Sequence, residues 1–373
     1  MTENTFSLGE HRWMARALQL ARRGYYTTRP NPRVGCLLIH SGAIVAEGWH
    51  ERAGGPHAEI MALEKAGELA RGATAILTLE PCGHHGRTPP CDQALIDAGV
   101  RSVVVAMQDP NPKVAGSGLQ RLRDAGLGVR SGLMEAQAEA LNPGFVSRMR
   151  LGRPRVRIKS ACSLDGRTAM ADGESQWITG EAARRDVHRL RAESCAIVTG
   201  IGTVLADDPR LTVRDAPLGE DMPQPLRVVL DSRLRMSPTA AILSEPGHTL
   251  VVTASSDSGA RQALSDAGAE VVSVGGHADR LDLTAVLRLL GEREINDVLV
   301  EAGPELTGAL LQSQLVDELI VYQAMHLMGS EARPLVELPG VEQMSDRLRL
   351  KLTDTRMVGN DLRLQLQPVT GEA

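Results

Sequence analysis

Two short motifs decide the fold of the first part of this chain: Gly55-Pro-His-Ala-Glu59 and Pro81-Cys-Gly-His-His-Gly-Arg-Thr-Pro-Pro-Cys91. The apolar spacing around them predicts a helix over 58–69, a strand over 73–79 and a second helix over 92–98. The first motif therefore opens a helix, Pro-Cys follows the next strand, and the last cysteine opens the next helix. This arrangement brings one imidazole and two thiols to neighbouring ends of secondary structure.

The three side chains that can bind a metal are His57, Cys82 and Cys91. One nitrogen and two sulfur ligands leave a tetrahedral position open, which is typical of a catalytic zinc site. The ligands fall at or near predicted helix starts, where the helix dipole favours thiolates. Zinc lowers the pKa of a bound water towards about 7, and Glu59, two residues from His57, is the candidate for moving its proton. We expect one zinc ion per chain and a zinc-dependent deaminase, because His-x-Glu followed by Pro-Cys and a second cysteine is a variant of the zinc deaminase signature.

Two other interpretations of this pattern remain. One is a deaminase of nucleic acids or nucleosides fused to an unrelated binding domain. The formal charge of −5 and the aromatic content of 2% argue against a nucleic-acid partner. The other is a non-enzymatic zinc module with a regulatory small-molecule-binding domain. Structural zinc sites normally have four protein ligands, and here only three stand beside a glutamate.

Length and composition indicate two soluble α/β domains. The chain has 373 residues, of which 42% are hydrophobic and 23% charged. We expect no membrane partner because no apolar run approaches the roughly 18 residues of a membrane span. The first residues do not resemble a signal peptide, and the five scattered cysteines are interpreted as thiols or ligands, so we expect a cytoplasmic protein.

The order of predicted elements also divides the chain in two. A helix over 10–23, a hairpin of strands over 34–39 and 43–49, and alternating helices and strands to residue 130 predict a mixed sheet covered by helices. The Pro- and Gly-containing segment 142–154 is interpreted as a solvated linker, which gives domains at 1–146 and 153–373. The second domain is predicted as α/β, with strands over 156–161, 195–199, 226–230, 249–253, 271–274, 297–301 and 318–322 and helices over 181–193, 283–290 and 306–312.

Further motifs in the first domain carry a resemblance to a known family. Asn31-Pro-Arg-Val-Gly35 and Asp109-Pro-Asn-Pro112, together with the two opening motifs, resemble the deaminase half of the bifunctional riboflavin-biosynthesis deaminase/reductases. The resemblance implies a cytidine-deaminase-like fold and hydrolytic removal of the 2-amino group of a phosphoribosylaminopyrimidine. It also implies that the base and phosphate of this small-molecule substrate are contacted by Asn31, His50, His84 and Arg87.

The second domain resembles the reductase half of the same family. No G-x-G-x-x-G nucleotide motif is present. The segments that carry the resemblance are Lys159-Ser-Ala-Cys-Ser-Leu-Asp-Gly-Arg-Thr168, Ser175-Gln-Trp-Ile-Thr179 and 200–214. They imply a dihydrofolate-reductase-like α/β fold and NADPH-dependent reduction of the ribosyl group to ribityl, with two enzyme activities on one chain. We also expect a homo-oligomer.

The same resemblance assigns residues to the reductase site. The cofactor-binding set is Ala161, Trp177, Thr203, Asp207, Ser232, Gly303, Pro304, Glu305 and Leu306. The substrate-binding set is Ser175, Arg191, Leu211, Arg214 and Glu301. Lys159 and Glu301 are the candidates for catalytic roles near the sugar, and arginine suits a phosphate because its guanidinium group can donate two parallel hydrogen bonds.

Overall fold

The computed structural model describes residues 5–83, 90–112, 114–214, 222–277 and 280–369. The chain forms two compact units, Met1–Gly152 and Arg153–Ala373. In the described part of the chain, no helix is both long enough and apolar enough to cross a membrane.

The first unit is a mixed five-stranded sheet with helices on both faces, as the sequence predicts. Its strand order is β2-β1-β3-β4-β5, with β1 antiparallel to β2 and β3 and the last three strands parallel. Its elements are α1 (Leu8–Ala21), β1 (Gly35–His40), β2 (Ala43–Trp49), α2 (Ala58–Ala66), β3 (Thr74–Leu77), α3 (Cys91–Asp97), β4 (Ser102–Val105), α4 (Ser117–Asp124), β5 (Gly128–Ser131), α5 (Glu135–Leu141) and α6 (Pro143–Leu151).

Alternate side chains of the interior strand β1 enter two separate cores. Leu37 and Ile39 pack under α1, whereas Leu38 packs under α2 and α3, as the two-residue period of a strand requires. Glycine lets the helices come close to the sheet. A Cβ atom at Gly35 would lie 2.1 Å from the carbonyl oxygen of Ala17 in α1, and one at Gly48 would lie 2.2 Å from that of Ala58 in α2.

The interpretation of 142–154 as a solvated linker is wrong. Pro143–Leu151 is the helix α6, and Asn142 before it is buried, with its side-chain amide bonded to the backbone N–H and C=O of Arg33 at 2.8 and 3.0 Å. Proline occupies the first helical turn, where its missing N–H costs nothing, and Gly152 ends the helix in the left-handed conformation at φ 67°. Here proline and glycine mark the two ends of a helix.

The second unit is built on a nine-stranded sheet with the order β11-β10-β9-β8-β14-β6-β15-β18-β17. The strands from β11 to β15 in this order run parallel, and β18 and β17 are antiparallel additions. Its elements are β6 (Arg155–Cys162), β7 (Arg167–Ala169), α7 (Glu181–Ala192), β8 (Ala196–Gly200), α8 (Ile201–Asp207), β9 (Leu226–Leu230), α9 (Ala241–Ser244), β10 (Thr249–Thr253), α10 (Ser258–Asp266), β11 (Ala269–Ser273), β12 (Gly276–His277), β13 (Arg280–Leu281), α11 (Leu283–Glu292), β14 (Asp297–Val300), α12 (Pro304–Gln312), β15 (Glu318–Gln323), β16 (Arg333–Pro334), β17 (Leu350–Val358) and β18 (Asp361–Pro368).

The hairpin of β17 and β18 is absent from the sequence prediction, which ends its strands at residue 322. In β18, Leu362, Leu364 and Leu366 alternate with polar residues, and this alternation could have predicted the strand from the sequence. The partner strand β17 is exposed along almost its whole length, with Leu352 49% and Met357 58% exposed. A strand without a buried face lacks the apolar pattern on which the prediction depends.

The carboxyl ends of the parallel strands define the functional edge of the second unit. The strands β6, β8, β9 and β14 all point the same way, so the segments that follow them meet at one edge. Lys159 lies within β6, opposite Ile320 of β15, and Glu301 directly follows β14.

Candidate active sites

The three predicted metal ligands converge in the first unit. His57 precedes α2 as its N-cap residue and Cys91 is the first residue of α3. The Sγ atom of Cys82 accepts the backbone N–H of Cys91 at 3.5 Å, so both sulfurs lie at the start of α3. His57 Nδ1 is 3.2 Å from the Cys91 sulfur and 3.6 Å from the Cys82 sulfur, and all three ligand atoms lie within 4.8 Å of one another.

These separations fit a tetrahedral zinc ion. With bonds of about 2.3 Å to sulfur and about 2.0–2.1 Å to nitrogen, tetrahedral ligand atoms lie roughly 3.5–3.8 Å apart. The two nitrogen–sulfur separations here, 3.2 and 3.6 Å, need only small adjustments to match. The donor set of one imidazole and two thiols is also one that zinc favours.

The two cysteine thiols share a hydrogen bond that shifts their pKa values in opposite directions. A hydrogen bond from the Cys91 thiol, opposed by burial and supported by His57, lowers the pKa of Cys82 to about 4, while the same bond raises the pKa of Cys91. Burial and the nearby Cys82 thiolate raise the pKa of Glu59 to about 7. Glu59 is thus a buried carboxyl group, 3% exposed, that can exchange a proton near neutral pH next to the ligand cluster.

Two of the predicted substrate contacts lie beside the ligands. The Asn31 Nδ2 atom is 3.1 Å from His50 Nε2, and His50 Nδ1 is 3.0 Å from the carbonyl oxygen of Pro56. His50 therefore donates from Nδ1 and accepts at Nε2, and burial lowers its pKa, which keeps the ring neutral. Its ring packs edge-on against the His57 ring at 5.4 Å. The other two predicted contacts, His84 and Arg87, lie outside the described residues.

A second candidate site is a cavity of about 520 Å³ in the second unit. Glu301 accepts two hydrogen bonds from Arg191, Nε to Oε1 at 2.6 Å and Nη2 to Oε2 at 3.0 Å, and Arg191 Nη1 donates to the carbonyl oxygen of Thr212 at 2.9 Å. Burial would raise the pKa of Glu301, but Arg191 and Lys159 outweigh it and lower that pKa. Burial lowers the pKa of Lys159, with Glu301 opposing and Arg191 adding to the shift.

The cavity brings together part of the predicted reductase set. Its predicted members are Lys159, Trp177, Arg191, Arg214 and Glu301. Ser175 and Leu211 are not among its lining residues in the described chain. Leu211 is buried at φ 49°, one residue before the Thr212 carbonyl that Arg191 binds.

The predicted NADPH contacts lie along the functional edge. Ala161 is in β6, Thr203 and Asp207 are in α8 after β8, Ser232 follows β9, and Gly303 precedes α12. Gly303 caps α12 without a side-chain hydrogen bond, and a Cβ atom there would meet nothing within 4 Å. The N–H groups of the first turn of α12 can therefore meet a phosphate closely.

Sequence reasoning missed one face of α7. The cavity residues from this helix are Glu181, Arg184, Arg185, Val187 and His188, and Thr179 lines the cavity from the segment just before it. The Arg184 guanidinium lies 4.5 Å from the Trp177 ring centroid and donates to the Thr179 carbonyl at 2.6 Å. His188 Nδ1 accepts the backbone N–H of Arg214 at 3.1 Å. The spacing 184, 188, 191 is helical and was a signal that could have found this face.

Comparisons with known proteins match both units of the chain. The family model described as cytidine and deoxycytidylate deaminase zinc-binding region matches residues 9–107. The model of the RibD C-terminal domain matches residues 154–364. Together the two models cover most of the chain in the order deaminase, then reductase.

Full-length relatives match over nearly the whole chain. The riboflavin biosynthesis protein RibD of Escherichia coli K12 is 53% identical over 363 residues, which is 95% of this chain and 98% of that protein. The RibD structure of Acinetobacter baumannii superposes with a TM-score of 0.91 at 47% identity, covering 97% of this chain and 99% of that chain. A diaminohydroxyphosphoribosylaminopyrimidine deaminase/5-amino-6-(5-phosphoribosylamino)uracil reductase from Thermotoga maritima superposes with a TM-score of 0.83 at 33% identity, covering 97% and 99%.

Proposed function

Because the chain belongs to the RibD family of bifunctional riboflavin-biosynthesis deaminase/reductases, we propose that its first unit deaminates a phosphoribosylaminopyrimidine and its second unit reduces the product. The chain is a zinc- and NADPH-dependent enzyme of riboflavin biosynthesis. Family membership favours this function over a nucleic-acid deaminase or a structural zinc module. The substrate would be 2,5-diamino-6-(5-phosphoribosylamino)pyrimidin-4(3H)-one and the final product 5-amino-6-(5-phosphoribitylamino)uracil.

The division of labour follows the two compact units. The zinc-binding model lies within Met1–Gly152 and the RibD C-terminal model within Arg153–Ala373. The predicted domains 1–146 and 153–373 remain part of this proposal, with the first extended to Gly152 so that it contains the whole of α6. The observation that carries the deaminase assignment is the convergence of three ligand atoms within 4.8 Å, next to a buried glutamate.

In the deaminase site, His57, Cys82 and Cys91 would hold the zinc ion. Zinc bound there lowers the pKa of water and so supplies a nucleophile at neutral pH. Glu59, a buried carboxyl group beside the ligands, would take a proton from the attacking water and deliver it to the departing amino nitrogen, which leaves as ammonia. Asn31 and the neutral His50 lie beside His57 and would orient the pyrimidine, with His84 and Arg87 as further contacts.

In the reductase site, bound NADPH would supply a hydride for the sugar carbon C1 of the ring-opened substrate. Lys159 would donate a hydrogen bond to a sugar oxygen from the wall of the cavity. Glu301, held in place by Arg191, would stabilise the positive charge that develops on C1 before the hydride arrives. Arg214 would contact the substrate phosphate, together with Arg184 and Arg185 on the same cavity wall.

The proposal extends to assembly and location. Strand β17 is the edge of the nine-stranded sheet, and its exposed side chains include Leu350, Leu352 and Met357. An exposed edge strand of nine residues is a template for pairing with a second copy, so we propose a homo-oligomer joined through β17. None of the five cysteines, all of which the structure describes, forms a disulfide bond, which fits the reducing cytoplasm.

The test is incubation of the purified chain with the diaminopyrimidine substrate, with and without NADPH, and identification of the products by mass. We expect ammonia and a deaminated ribosyl product without NADPH, and the ribityl product with it. Cys82→Ser should lose zinc and ammonia release but still reduce deaminated substrate. Glu301→Gln should keep zinc and ammonia release but lose the reduction. Full zinc occupancy in both Cys82→Ser and Cys91→Ser would contradict the ligand assignment.

A further inference from the structure

The short helix α4 contacts both chain segments that carry cysteine ligands. Its first contact is with Glu80, two residues before Cys82. The Glu80 carboxylate is buried and accepts four backbone N–H groups: those of Asp109 and Gly116 on one oxygen at 3.0 Å, and those of Gly118 and Leu119 on the other at 2.9 and 3.2 Å. Glu80 therefore binds the amino end of α4 and the loop that leads to it.

The packing around Glu80 is close. A Cβ atom at Gly118 would lie 2.4 Å from the carbonyl oxygen of Pro81, the residue between Glu80 and Cys82. The backbone of α4 thus rests directly on the Cys82 segment, and glycine is the residue that allows it.

The second contact of α4 is with the segment that carries Cys91. Arg121 pairs with Asp92, the residue after Cys91, and its Nε donates to Asp92 Oδ2 at 2.6 Å. The Asp92 side chain is 2% exposed. A Cβ atom at Gly83 would overlap the Arg121 guanidinium, so this group also covers the residue that follows Cys82.

We propose that Glu80 and Arg121 are positioning residues for the zinc site and that α4 acts as a brace between the two cysteine ligands. We call Glu80, Asp92 and Arg121 the α4 brace. None of the three is a ligand. Each fixes the backbone next to a cysteine, so that the two sulfurs are held at a separation that suits zinc before the ion binds. The inference rests on the proposed ligand set, and it adds residues that none of the motifs singled out.

The chemistry of Glu80 makes the inference testable with one isosteric change. In Glu80→Gln an NH₂ group replaces one oxygen and faces two backbone N–H groups, so two of the four hydrogen bonds are lost. The amino end of α4 should then move away from the Cys82 segment. Outer partners of metal ligands typically contribute about 10–100-fold to metal affinity, so we expect zinc affinity to fall by about that factor.

The experiment measures zinc affinity of the full chain by competition with a chromogenic chelator, for Glu80→Gln, Arg121→Gln and the double variant. Two control variants match them. Glu10→Gln removes another buried carboxylate of the same unit, which caps α1 and pairs with Arg130. Arg123→Gln removes an exposed arginine from α4 itself. Cobalt(II) replaces zinc in a parallel titration, and its absorption spectrum reports the thiolate geometry, which a general loss of stability would not change.

We expect both brace variants to lose zinc affinity and to change the cobalt spectrum, while both controls keep wild-type values. The double variant should lose less than the product of the two single losses, because both residues act through one helix. Arg121→Lys should restore part of the affinity.

Brace variants that match their controls in zinc affinity and in cobalt spectrum would overturn the inference. If Glu80→Gln does not fold, the test is the comparison of zinc affinity between Arg121→Gln and its control Arg123→Gln. Both of these arginine side chains are exposed, so neither substitution should prevent folding. A wild-type chain that binds no zinc would overturn the proposed ligand set instead, so the two failures are distinguishable.

Discussion

The packing of Gly48 against α2 gives a sharp test of how the deaminase site is positioned. Gly48 lies in β2, and α2 rests on it with the Ala58 carbonyl oxygen and the Ala62 nitrogen directly above. The helix begins right after His57 and carries Glu59 in its first turn. We expect Gly48→Ala to damage deamination by displacing that turn, although Gly48 itself touches no substrate.

The size of the displacement follows from the distances. The new Cβ atom would lie 2.2 Å from the Ala58 oxygen and 2.7 Å from the Ala62 nitrogen, whereas real Cβ atoms almost never approach closer than 3.0 Å. Because β2 is paired with β1 along its length, the helix should move, by about 0.8 Å or more. Misplacement of about 1 Å can reduce turnover about 10²-fold, and overpacking of this kind costs about 1–3 kcal/mol of stability.

The assay is the initial rate of ammonia release, measured with zinc content and thermal unfolding. Gly128→Ala is the matched control, since Gly128 is a strand glycine of the same unit whose Cβ atom would lie 3.4 Å from its nearest neighbour. Reduction of deaminated substrate by the same preparation reports the second unit. Ammonia release within twofold of wild type in a zinc-loaded Gly48→Ala protein would refute the reasoning.

Three further predictions concern the proposed catalytic groups and the division of the chain. Glu59→Gln should keep zinc and lose at least about 10²–10⁴-fold in ammonia release, because an amide cannot carry the proton; near-normal turnover would remove Glu59 from its role. Reduction should decline as pH rises through the pKa of Lys159, which burial lowers below the ordinary 10.5, because the charged ammonium form is a much stronger hydrogen-bond donor to the sugar than the neutral amine; Lys159→Arg should move this decline to higher pH, and an unchanged pH–rate profile in that variant would argue against the assignment. A fragment from Arg153 onward should fold and reduce deaminated substrate without zinc, and a folded fragment that binds no NADPH would contradict the proposed division.

The sequence predicted those parts of the fold that depend on local pattern. The hairpin of β1 and β2 turns at Ser41 and Gly42, both with positive φ, between the two strands predicted over 34–39 and 43–49. The structure brings His57, Cys82 and Cys91 together as expected, because each lies at the end of an element whose period was clear. Their ligation of zinc remains a proposal.

The features that the sequence did not predict depend on contacts between residues far apart in the chain, which no short stretch of sequence contains. In the sequence, Glu80 is an ordinary glutamate that follows a predicted strand. The four backbone N–H groups that bind its carboxylate lie 29–39 positions further along the chain, so no local pattern indicates them. The strand β17 has no buried face to reveal it. The segment 142–154 was misread because proline and glycine mark helix ends as well as loops, and only the burial of Asn142 and Phe145 distinguishes the two.

The central position of β6 in its sheet has a consequence for how the second unit forms during synthesis. This strand leaves the ribosome first in its unit, yet its two neighbours are β14 and β15, which pair Arg155 with Asp297 and Arg157 with Glu318. Both edges of this strand, which contains the buried Val156 and Ile158, therefore remain unpaired until roughly 140 to 160 further residues have been made. We expect chains interrupted before residue 323 to aggregate through the bare edges of β6. The first unit, whose opening strands pair across a two-residue turn, can fold well before that point.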